Sequence, residues 1–154
     1  MKRFLNLLQL NFIPKSSDFG LLALRVWLGA SLMFLHGLGK LQDFKKLSTK
    51  FPDPLGVGTT VSYWLAIFGE VVCPVLLILG VFARIGALGS AVTMGVAFFL
   101  VHNRKLTGEG NGELAFIYLA GFVVLFLAGP GRFALDAKLS SGGGAAKSSP
   151  PKKN

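Results

Sequence analysis

Four apolar stretches of membrane-crossing length follow one another along this chain, with short links between them. They run from about Phe19 to Leu38, Thr60 to Phe82, Ile85 to His102 and Glu113 to Gly129. A helix needs roughly 20 apolar residues to cross a bilayer. The last two stretches are shorter but suffice if they stand upright. Inside lipid every backbone polar group must be satisfied within the chain, which favours helices here. Composition agrees: hydrophobic residues make up 52% and charged residues 15%, against roughly 25% charged in soluble domains. A chain of 154 residues has too little interior to hide that much apolar surface from water.

Links this short predict antiparallel neighbours and an all-α, up-down four-helix bundle spanning the membrane. Between the second and third stretches only Ala83 and Arg84 fall clearly outside a span. Gly80, Gly86, Gly89, Ser90 and Gly95 supply small surfaces for close helix approach, and Gly86 and Ser90 form a small-xxx-small pair. Three regions are expected. Residues 1–18 form an interfacial helix with Phe4, Leu5, Leu8 and Phe12 on one face. Residues 19–136 form the four-helix unit, with Asp18 as its first N-cap. Residues 137–154 form a flexible basic tail rich in Gly, Ser and Pro. The N-terminal segment lacks the unbroken apolar run of a signal peptide.

The net charge of +9 raises nucleic acid as a partner, but the basic residues border the apolar spans instead of forming one stripe. Anionic lipid head groups fit that distribution better. An even number of spans puts both termini on one side. That side carries nine basic residues, from Lys2 to Lys153, against six on the other, namely Lys40, Lys45, Lys46, Lys50, Arg104 and Lys105. The positive-inside rule therefore predicts cytoplasmic termini in a bacterial-type inner membrane. Cys73 is the single cysteine, which excludes an internal disulfide or dithiol relay. No phosphate-binding Gly-rich loop and no nucleophile elbow is present.

Ionisable residues within spans are costly and need a partner or a purpose. Counting 1.5 Å per residue puts Arg25 and Glu70 near mid-depth, so an Arg25–Glu70 ion pair between the first two helices is expected. Such a pair either fixes helix register or lines a polar path. His36 and His102 end the first and third spans at one membrane face, Glu113 opens the fourth there, and Lys40 lies one turn past His36. With Glu70 below them, His36, Lys40, His102 and Glu113 form a candidate ligand site. The competing reading is ordinary interfacial polarity.

Histidine as a residue type exchanges protons near neutral pH. A quinone suits such a site, because its ring and tail are apolar while its carbonyls take donors. A metal is not expected, since no local H-x-x-H or H-E-x-x-H spacing exists. Haem would need deeper, facing histidines. No cofactor is intrinsic to the chain, and catalytic residues are not identifiable. Trp64 and Tyr63 read as an aromatic belt. Trp27 and Tyr118 read as packing residues, and Phe98-Phe99 as apolar surface for a prenyl tail.

Arg25, then Met33-Phe34-Leu35-His36-Gly37-Leu38-Gly39-Lys40-Leu41, then Glu70 and the Gly80-to-Arg84 turn resemble the DoxX family of small four-helix membrane proteins. His102, Asn111-Gly112-Glu113 and Gly129-Pro130-Gly131-Arg132 before Asp136 extend the likeness from about Phe19 to Asp136. The resemblance implies association with quinone-linked oxidation and with membrane oxidoreductase complexes, alongside other subunits. Two functions follow as expectations. One is a quinone-interacting oxidoreductase subunit. The other is a non-catalytic accessory subunit that stabilises a larger complex, with self-association a further option. A transporter is a weaker third, because four helices would have to dimerise to form a path.

Overall fold

A computed structural model describes residues 16–137. Of the interfacial segment expected over residues 1–18 and the basic tail expected over 137–154, residues 1–15 and 138–154 lie outside those described, and Ser17 and Asp18 already belong to the first long helix. The described residues are all helix and loop, with no strand among them. The chain runs through α1 (Ser17–Gln42), α2 (Phe44–Leu47), α3 (Thr59–Leu79), α4 (Ala83–Val101) and α5 (Glu113–Ala128). Helices α1, α3 and α4 are long and apolar enough to cross a membrane, and α5 is shorter. α3 packs against α1 and α4, and α5 against α4 and α1. Leu32, Leu77, Ala87, Met94, Tyr118 and Phe122 fill the space between them.

Helix ends follow from local chemistry. Ser16, not Asp18, caps α1: its hydroxyl accepts the Phe19 amide at 3.2 Å. Asp18 instead accepts the Arg132 amide at 2.9 Å and pairs with its guanidinium. α3 ends at Gly80, whose φ of +73° glycine adopts at little cost. The amides of Gly80 and Val81 return to the Leu76 carbonyl, closing the last turn. The α3–α4 link is therefore Gly80–Phe82, and Ala83 and Arg84 already belong to α4. Phe82 has no capping side chain of its own. Asp136, 54 residues further on, accepts the Phe82 amide at 2.9 Å and the Ala83 amide at 2.9 Å.

Three helices each contain one widened turn with i→i+5 bonding: Met33–Gly37 in α1, Phe68–Val72 in α3 and Ala97–Val101 in α4. Such turns are rare and recur at functional sites. The one in α3 has a visible cause. Pro74 lacks an amide proton, and its ring would strike the carbonyl four residues back, which belongs to Glu70. Widening relieves that clash. The Gly37 backbone then lies directly against the Glu70 carbonyl, with no room for a side chain. Ser90 donates to the Gly69 carbonyl in the same turn at 2.9 Å. Gly69 itself packs on Thr93, and Gly86 on the Cys73 carbonyl, so small residues bring α3 and α4 together.

Several aromatic expectations change. Tyr63 is no belt residue: it is 0% exposed and its hydroxyl donates to the Lys40 carbonyl at 2.8 Å. Trp64 is exposed, while Trp27, expected to pack, is 78% exposed. Tyr118 is buried as expected, and its hydroxyl donates to Ser31 at 2.9 Å.

Candidate functional site

A cavity of about 300 Å³ opens among α1, α3, α4 and α5, at the end remote from the Gly80–Phe82 turn. His36, Lys40, Glu70, His102 and Tyr118 reach its wall, and Leu32 and Met94 form apolar floor. Each of the three widened turns delivers part of it: His36 from α1, Glu70 from α3, Ala97 from α4.

The strongest polar contact is Lys40 Nζ to Glu70 Oε2, at 2.5 Å. The Lys40 ammonium also lies 3.5 Å from the His36 carbonyl, which belongs to the widened turn. Lys40 thus folds back along its own helix into the cavity instead of reaching outward. Glu70 is nearly buried, and its charge is tolerated because a cation meets it.

His102 follows the end of α4, where Asn103 and Arg104 take positive φ values of 50° and 61°. That reversal lets the Arg104 amide bond to the Phe98 carbonyl at 3.0 Å and brings Gly112 onto the His102 side chain. His102 Nδ1 lies 2.9 Å from the Gly110 carbonyl. A carbonyl only accepts, so Nδ1 carries the proton. In the neutral ring Nε2 is then an acceptor, and in the charged ring a second donor. His36 packs edge-on against Tyr118, with ring centroids 6.1 Å apart.

Two expectations are corrected. The Arg25–Glu70 pair does not form. Arg25 is level with Gly80, ten residues along α3 from Glu70, which is about 15 Å. Its Nη2 donates to the Phe133 carbonyl at 2.9 Å, and Nε and Nη1 are buried without a hydrogen-bond partner among the described residues. Glu113 is not brought to the cavity either; it is exposed. Asn111 takes part instead, since the Asn111 carbonyl oxygen of its side chain accepts the Glu113 amide at 3.1 Å while the residue lines the cavity. Tyr118, read from the sequence as a packing residue, also lines the cavity; it shares the buried face of α5 with Ala115, Phe122 and Leu125 at helical spacing.

The fold and its polar cavity define a small helical membrane protein with a polar chamber among its long helices. The DoxX family profile matches residues 20–103, more than half of the chain. The chain belongs to the DoxX family. It is 33% identical over 139 residues to an uncharacterized protein of Haemophilus influenzae, covering 84% of this chain and 97% of that one. A second uncharacterized Haemophilus influenzae protein is 31% identical over 126 residues, covering 78% of this chain and 83% of its own length. No solved structure matches the chain.

Proposed function

We propose that the chain is a membrane subunit for quinone-linked oxidoreduction, binding the quinone ring in the cavity between His36, Lys40, Glu70 and His102. The observation that carries this is the convergence of the Lys40–Glu70 pair and both histidines of the chain on one chamber with apolar walls. A volume of about 300 Å³ sits at the lower end of the range for ligand pockets, suited to a substituted ring. Lys40, and His102 in its charged form, offer donors to carbonyl oxygens. Neutral His102 Nε2 accepts from a hydroxyl, which suits the reduced ligand. Reduction needs two electrons and two protons: a redox centre on a partner chain supplies the electrons, and the histidines and the Lys40–Glu70 pair can pass the protons.

In this reading α1, α3, α4 and α5 all cross a bacterial-type inner membrane as a four-helix unit over residues 19–136. Both termini are cytoplasmic and the cavity opens outward. The nine-to-six division of basic residues supports that orientation.

The test is native purification of the full chain, followed by mass spectrometry of bound quinones, lipids and partner chains, with thermal unfolding in added quinone. Quinone is expected to co-purify and to raise the unfolding temperature, and His36→Ala or His102→Ala to abolish the rise. A well-folded sample indifferent to quinone overturns the reading. If a partner chain co-purifies with that quinone-insensitive protein, the accessory role replaces it.

A further inference from the structure

Glu70 and Ala97 stand between two hollows. The second, about 70 Å³, lies between α3 and α4 beneath the loop that follows α2. Phe51, Pro54 and Leu55 cover it, and Ala66, Val96 and Val101 flank it. Its two hydroxyls are already engaged: Ser62 donates to Asp53 at 2.7 Å and Thr93 to the Gly89 carbonyl at 3.0 Å. Leu55 and Val101 are exposed, so the hollow opens sideways, where acyl chains would lie.

We infer that this hollow takes the first segment of the ligand's isoprenoid tail, which leaves the polar cavity between α3 and α4 past Ala97. The inference rests on the quinone reading above and adds its route. The polar cavity has room for a ring but not for a long tail, and a tail needs an apolar exit that starts at the ring. The hollow shares a wall with the cavity, is narrow, and is lined mostly by carbon, with the Ser62 and Thr93 hydroxyls engaged elsewhere. Small side chains at Ala66 and Ala97 create the gap. Of the Phe98-Phe99 pair, which the sequence offered as tail-binding surface, Phe98 is only 5% exposed and packs on Phe99 and Phe116, while Phe99 is exposed but does not line either hollow. Since lipid is as apolar as the hollow, the gain from seating the tail is the modest gain of better packing.

The experiment compares a bare dimethoxy-methyl-benzoquinone with the same ring carrying an isoprenoid tail, on the full chain in detergent micelles. The variants are Ala66→Leu and Val96→Phe, which fill the hollow from opposite walls without touching the polar cavity. In the unaltered protein the tail should tighten binding roughly fivefold, the equivalent of about 1 kcal/mol. Either variant should remove that gain and leave the bare ring bound as before. A gain that survives both variants, or a tail that adds nothing to the unaltered protein, overturns the inference and leaves the quinone reading standing. Failure of the bare ring to bind the unaltered protein overturns both. Should the variants lose the bare ring as well, a photoreactive tail on the unaltered protein decides: crosslinks within α3, α4 and the covering loop support the route, and crosslinks to α1 or α5 overturn it.

Discussion

Lys40 and Glu70 are 30 residues apart in sequence, and their charged atoms meet at 2.5 Å. Removing Lys40 leaves Glu70 buried and uncompensated, and removing Glu70 leaves a half-buried cation without its partner. Lys40→Met and Glu70→Gln should each destabilise the protein, and the double variant should cost less than their sum. The expected coupling is about 1–3 kcal/mol, read from unfolding in detergent. Strict additivity would mean that the pair carries no mutual stabilisation.

The Gly37 backbone lies against the Glu70 carbonyl, whereas Gly69 lies against the Thr93 side chain. A backbone obstacle cannot swing away, but a side chain can be trimmed. Gly37→Ala should cost about 1–3 kcal/mol with no simple rescue. Gly69→Ala should cost a similar amount and recover in the Gly69→Ala, Thr93→Ala double variant. Thermal unfolding of the four proteins distinguishes the cases.

Asp136 caps α4 from a distant part of the chain. Asp136→Ala should lower stability by about 1–2 kcal/mol, as loss of an N-cap does. Hydrogen exchange should quicken first at Phe82 and Ala83. Unchanged exchange there would exclude the carboxylate as their cap.

Asp53 accepts from the Ser62 hydroxyl and from the amides of Gly58 and Val57. The Ser62 bond first, then those amides, hold its carboxyl below the ordinary aspartate value. The unfolded chain therefore binds this proton more readily than the folded one. The loop's stabilisation is full above the ordinary aspartate range and is lost as pH falls through the lowered folded value. Amide exchange at Val57 and Gly58, corrected for intrinsic rates, should rise in acid, and Asp53→Asn should remove that rise.

Hydrophobicity located the helices well, because span length is a bulk property of sequence. Rotation was harder to read. α5 is apolar on every side, so nothing marked which face looks inward, and Glu113 was assigned to a chamber that Asn111 and Tyr118 line. Depth was harder still. Arg25 and Glu70 looked level on a count of residues, yet Arg25 sits beside Gly80. The Lys40–Glu70 pair needed a lysine to turn back along its own helix, which spacing does not encode. Pro74 was the one local sign that α3 is irregular at Glu70.

A widened turn also adds an angular offset. One residue more or less rotates all that follows by about 100°, so each of the three irregular turns sets the phase of the helix beyond it. In α1 the turn lets Arg25 and Gly29 point inward on one side while Lys40 points inward on the other. Deleting a single residue within Met33–Gly37 would leave the Arg25 end in register and swing Lys40 away from Glu70. The protein is thus geared in two sections, and the chamber's alignment can be altered without disturbing the opposite end.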